Sequence, residues 1–144
     1  MMKLIYEGEY LNGKRYNGKG KEYYDNGKIM FEGEYLNGER NGKGKEYNYN
    51  GELEFEGEYL NGKRWNGKGK EYYYNGNLKF EGEYLNGERN GKGKEYYNNG
   101  KLIFEGEYLN GERWNGKIFN KNGEIEFKII NGKAKEKNMI IMEN

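Results

Sequence analysis

The chain has no cysteine, histidine, proline, serine, threonine, glutamine or valine, and only one aspartate (Asp25) and one alanine (Ala134). Each absence closes a class of function. Without cysteine there are no disulfides and no thiolate metal sites, so nothing calls for an oxidising compartment. Without histidine, cysteine, serine or threonine, the usual nucleophile–base pairs cannot be assembled. Serine and threonine are also the acceptors of N-x-S/T glycosylation, which is therefore excluded. Charge of one sign is missing too: 25 Lys and Arg face 24 Asp and Glu for a net +1. That balance gives no reason to bind nucleic acid or anionic lipid in bulk. No apolar run reaches the length of a membrane span, and the opening MMKLIYEGEY has none long enough for a leader, so a cytoplasmic location is expected.

What is present is narrow. Aromatics make up 17% of the 144 residues and glycine supplies 25 of them, while mean hydropathy is −1.33. Many rings and few aliphatic residues point to a thin structure with a ring-lined face, not a thick aliphatic core. One continuous array fits this better than one globule.

The array is visible as repetition. FEGEYLNG begins at Phe31, Phe55, Phe80 and Phe104, and YEGEYLNG at Tyr6, with successive starts 25, 24, 25 and 24 residues apart. The alternation comes from an extra aromatic, Tyr16, Trp65 or Trp114, in every second unit, so the larger period is 49 residues. Within a unit the pattern has period two. Ile29, Phe31, Gly33 and Tyr35 share one face, and Met30, Glu32, Glu34 and Leu36 the other, as in a half-buried strand. The GKGKEYY segments are the return strands.

Sixteen of the 25 glycines follow asparagine, and Asn-Gly is the strongest short-range hairpin signal because both of its residues accept φ > 0. The turns around Gly27, Gly51, Gly76 and Gly100 read as tight, and the LNG-x-R-(W)-NG segments as longer loops. The other nine glycines lie inside strands, where a ring from the neighbouring strand can lie across a bare backbone. Gly42 and Gly44 share a face while Tyr47 is out of phase, which predicts a β-bulge near Lys45-Glu46 that returns it. Glu32 and Glu34 lie beside Lys43 and Lys45 as a cross-strand charge ladder. The expectation is an all-β, elongated and twisted antiparallel meander of tandem hairpins, about twelve short strands in a single layer.

The motif EGEYLNGxRxNGKGKEYYxNG resembles the MORN repeat, including the variant repeats that carry KEYYxNG. Five units match over 1–126, starting near residues 6, 31, 55, 80 and 104, and 127–144 resembles a degenerate capping hairpin. The usual repeat carries GxGxY where this chain reads GxGxEY. The resemblance implies a non-enzymatic scaffold for protein–protein interaction or self-association. It also allows membrane contact or lipid-head-group binding, and an antitoxin-like immunity role for the variant repeats.

Two stripes are candidate sites. Arg15, Arg40, Arg64, Arg89 and Arg113 recur once per unit, joined by Tyr16, Trp65 and Trp114; arginine and tryptophan are enriched at binding hot spots. The local alternative is that each arginine pairs with a glutamate and each tryptophan covers the sheet. The second stripe is the ring face: Phe31, Tyr35, Phe55, Tyr59, Phe80, Tyr84, Phe104 and Tyr108. Either the sheet coils until these rings cover one another, or another copy packs on them as a homodimer or end-to-end assembly. Paired glutamates such as Glu32/Glu34 could suggest glycoside hydrolysis or a calcium site. They sit on a lysine-rich solvated face and are copied in every unit, so neither catalysis nor a metal is expected, nor any cofactor. The remaining reading is a carbohydrate- or choline-binding array, against which stands one lone aromatic per two loops where a cage needs several.

Overall fold

The computed structural model describes residues 3–12 and 14–136, with the side chains of 3–8, 11 and 14–16 excepted. Twelve strands follow chain order as an all-β antiparallel meander: β1 Lys3–Leu11, β2 Lys14–Tyr23, β3 Ile29–Leu36, β4 Glu39–Tyr47, β5 Leu53–Leu60, β6 Lys63–Tyr72, β7 Leu78–Leu85, β8 Glu88–Tyr96, β9 Leu102–Leu109, β10 Glu112–Phe119, β11 Ile125–Ile130 and β12 Lys133–Glu136. The described residues contain no helix, and so none long and apolar enough to cross a membrane. Two compact units divide the chain, residues 1–69 and 70–144, with the division inside β6.

Hairpin chemistry sets the connections. The Leu-Asn-Gly steps at 36–38, 60–62, 85–87 and 109–111 are two-residue turns with both residues left-handed, for example Asn37 at φ 53° and Gly38 at φ 81°. The chain re-enters a strand at once. The expected longer loops are therefore absent: Arg, Trp and the second Asn-Gly lie within β4, β6, β8 and β10. The opposite turns are four residues long, closed by bonds such as Gly51 N–H to Asn48 O at 2.9 Å.

In unit 1 a row of glycines crosses five strands: Gly20 faces Gly33, Gly33 faces Gly44, Gly44 faces Gly57 and Gly57 faces Gly67. Unit 2 repeats it from Gly82 through Gly93 and Gly106 to Gly116, then closes the row with Ile129 and Ala134. The facing backbones come so close that a methyl on Gly33 would lie 2.7 Å from Gly44 Cα and 2.7 Å from Phe31 Cζ. Phe31 thus covers a glycine of its own strand and one of the next, whereas the pattern suggested a ring from the neighbour alone. The extra aromatic alternates the register. Gly33 faces the second glycine of its GKG triplet, Gly44, but Gly57 faces the first, Gly67. This shift is the structural origin of the 49-residue period.

The bulges differ from the expectation in position and in effect. Glu46 pairs with Phe55 and Tyr47 with Leu53, so the extra residue is Glu54 on the incoming strand. Tyr47 does not return to the ring face; its hydroxyl donates to Glu32 on the charged face at 3.1 Å. What turns inward is the bulged residue itself. Its equivalent in unit 2, Ile103, packs on a core of Phe80, Phe104, Tyr108 and Ile129.

Phe31, Phe55, Phe80 and Phe104 are fully buried, and Tyr35, Tyr59 and Tyr108 nearly so, while Tyr84 is half-buried. The rings lie down on the bare glycine backbones and are covered within the chain, so this stripe is core and offers a partner little surface. Neighbouring rings meet edge to face, as with Phe31 and Tyr59 at 5.2 Å and Phe80 and Tyr108 at 5.4 Å.

Candidate binding groove

The arginine stripe closes the ring row from above. Arg40 lies 4.2 Å from the centre of the Phe31 ring, Arg64 5.2 Å from Phe55, Arg89 3.9 Å from Phe80 and Arg113 5.1 Å from Phe104. A guanidinium over a ring face satisfies the ring quadrupole while its edge remains free to donate. Those donors go to glutamates: Arg40 to Glu22 at 2.9 Å, Arg64 to Glu46 at 2.7 Å, Arg89 to Glu71 at 2.8 Å and Arg113 to Glu95 at 2.7 Å. The same carboxylates accept tyrosine hydroxyls, from Tyr59 to Glu46 at 2.7 Å, from Tyr84 to Glu71 at 2.8 Å and from Tyr108 to Glu95. Arg15 and Tyr16 belong to the same stripe, but their side chains lie outside the described residues.

Reading the sequence missed these glutamates, although the signal was present: they are the extra residue in GxGxEY. Burial alone would raise the Glu46 carboxyl, but the bonds from Arg64 and Tyr59 outweigh it and hold the group below its ordinary value of 4.5. Glu71 and Glu95 are lowered by the same balance. The Tyr59 and Tyr108 hydroxyls are pushed far up by burial and by the glutamate each one bonds, so they stay protonated donors. Because the folded state holds Glu46 ionised more firmly than the unfolded chain does, its contribution is complete above 4.5 and is lost as the pH falls through that range. Glu46→Gln is expected to cost roughly 1–3 kcal/mol at neutral pH. Urea unfolding of wild type and variant should show the gap closing in acid; a gap that persists there would mean shape, not charge, is responsible.

Trp65 and Trp114 are half-buried. Trp114 covers the next hairpin: its ring sits where a methyl on Gly132 would be at 3.1 Å, and its carbonyl accepts the Gly132 N–H at 2.8 Å.

The charged face of unit 1 forms a groove of about 740 Å³. Lys19, Lys21, Lys43 and Lys45 line it together with Glu32, Glu34, Glu56 and Glu58, and Gly20, Gly33, Gly44 and Gly57 form its floor. The register puts opposite charges side by side: Lys21 with Glu32, Glu32 with Lys45, and Lys45 with Glu56. Only one backbone thickness separates this groove from the buried rings. Leu36 and Leu60 stand exposed where β3 and β5 reach their turns, at 47% and 39% of full accessibility. Among the described residues, no three acidic groups converge in a way that could hold a metal ion.

The hairpin unit, its inserted aromatic and its glycine row coincide with known family models. The MORN repeat model matches residues 31–52 and 80–101, and the MORN repeat variant model matches 16–37 and 65–86. Together they cover just over half the chain. The chain belongs to the MORN-repeat family. The two models alternate, each recurring after 49 residues, and the variant begins on the inserted aromatics Tyr16 and Trp65. The MORN repeat matches span β3–β4 and β7–β8, and the variant matches span β2–β3 and β6–β7. No curated protein matches the chain.

Proposed function

We propose that this MORN-repeat chain is a non-catalytic, cytoplasmic scaffold that binds a protein segment, a second copy of the chain included. The charged groove of unit 1 carries the reading. It presents lysine and glutamate in alternation over a bare glycine floor, and Leu36 and Leu60 stand exposed at the ends of β3 and β5, two of its strands. A polypeptide offers all three complements: charges of both signs, a backbone and apolar side chains. A polyanion or an anionic bilayer needs a net basic surface, and here the charges cancel.

Light scattering over a concentration series tests self-association, and capture from a cell extract on immobilised protein tests the partner arm. Lys43→Glu with Lys45→Glu reverses the centre of the groove without touching the ring core. The expected result is a mass above 17.0 kDa, or a specific captured protein, that is lost in the double variant while circular dichroism is unchanged. Wild type that stays monomeric, and captures nothing the variant does not, would refute the proposal.

A further inference from the structure

Asn-Gly is the dipeptide whose carboxamide is most open to attack by the following backbone nitrogen, because glycine places no side chain in the way. The chain has sixteen such steps, and among the described residues the structure separates them by what the carboxamide or the glycine nitrogen is bonded to. In the Leu-Asn-Gly turns at 60–62 and 109–111 the asparagine is left-handed, and the glycine N–H is held by the preceding hairpin: Gly62 to Arg40 O at 2.9 Å, Gly111 to Arg89 O at 2.9 Å. In the strand steps the carboxamide oxygen is occupied, Asn41 accepting the Asn61 N–H at 3.2 Å and Asn90 the Asn110 N–H at 3.1 Å. In three of the four-residue turns, Asn26, Asn75 and Asn99 accept the N–H two residues ahead, at 2.9, 2.9 and 3.0 Å.

Two turns differ. In Asn48-Tyr49-Asn50-Gly51 the first asparagine takes over the bonding, accepting from Asn50 N at 3.0 Å and Glu52 N at 2.9 Å. In Asn120-Lys121-Asn122-Gly123, Asn120 does the same for Asn122 N at 2.9 Å and Glu124 N at 3.1 Å. The Asn50 and Asn122 carboxamides are left exposed with no hydrogen bond, and neither residue is left-handed. A lysine from the preceding turn lies beside each: Lys28 Nζ donates to Asn50 O at 3.1 Å, and Lys101 Nζ to Lys121 O at 3.1 Å.

We propose that Asn50 and Asn122 are the chain's sites of spontaneous deamidation. The Gly51 nitrogen bonds to Asn50 Cγ, the Cγ–Nδ2 bond breaks, and the amide nitrogen leaves as ammonia with the proton from Gly51. Water then opens the cyclic imide at one carbonyl or the other, giving aspartate or isoaspartate. No oxidant or cofactor enters. The Gly51 N–H is bonded to Asn48 O, but Gly27, Gly76, Gly100 and Gly123 carry the equivalent bond, so turn opening does not separate the sites. The carboxamide bond does, and its net worth corresponds to roughly a two- to tenfold difference in rate. Lys28 draws density from the Asn50 carbonyl and gives the new carboxylate a counter-ion.

The test is peptide mapping of the intact protein, incubated folded in warm, mildly alkaline buffer, by mass spectrometry with a separation that resolves isoaspartate. Asn50 and Asn122 are expected to convert several-fold faster than Asn26, Asn75 and Asn99, and the five to converge in guanidinium. Asn48→Ala frees the Glu52 N–H for Asn50, so conversion at Asn50 should slow while that at Asn122 is unchanged. Equal rates in the folded protein, the same lead for Asn50 and Asn122 in guanidinium, or no slowing in the variant would each overturn the proposal.

Discussion

Phe55→Ala is expected to destabilise unit 1 by about 3–5 kcal/mol, read as a lowered urea midpoint. Phe55 is fully buried, so its removal costs the transfer of a whole ring out of water and leaves a cavity. The cavity cannot close easily. Below the ring lies the glycine row, whose backbones are already in contact, and above it lies Arg64, held by Glu46 and Glu54 at 2.7 and 3.2 Å. The edge-to-face partner Tyr59, at 5.4 Å, loses its neighbour as well. Leu60→Ala, at an exposed position of the same strand, is the control and should move stability by no more than about 0.5 kcal/mol. In a repeat array each unit is stabilised mainly by its neighbours, so the loss should spread to adjoining hairpins. Comparable effects at Phe55 and Leu60 would show that the rings are not the core.

The hairpin order and the strand faces were legible because period-two patterning and Asn-Gly turns are local signals, copied in every unit. Phe31 and Tyr35 lie where alternation put them. The fate of the ring face was not legible, because whether a single sheet covers its own rings depends on how sharply it bends. Alternation says nothing about bending. The bend is set by cross-strand registration of Gly33 with Gly44 and Gly57, which is a property of pairing. The arginines were misplaced for a related reason. The second Asn-Gly after Arg40 reads as a loop, but Gly42 lies within β4, with the Glu34 carboxylate bonded to the Lys43 N–H at 3.0 Å beside it. The groove residues Glu32, Glu34, Lys43 and Lys45 were visible as a ladder; that their face forms a groove was not.

Gly57→Ala tests that bend directly and should have an effect as large as loss of a ring. A methyl at Gly57 would run into the Asn66 carbonyl oxygen and lie 2.6 Å from Gly67 Cα. Both are backbone atoms of the paired strand, so no rotamer change can relieve the contact. The strands must separate, which opens the glycine row and exposes the ring of Phe55 on one side and the groove floor on the other. Overpacking of this kind costs about 1–3 kcal/mol where side chains can yield, and more where they cannot. Gly76→Ala is the matched comparison. Gly76 has φ 86° with nothing within 4 Å of the added methyl, so it pays only the left-handed penalty of about 1–2 kcal/mol. Gly57 is not in the left-handed region, so any excess over Gly76 measures the close approach of two backbones and not conformational freedom. Equal losses at the two positions would mean that the sheet bends without needing its glycines, and the account of how one layer buries its own rings would fail with it.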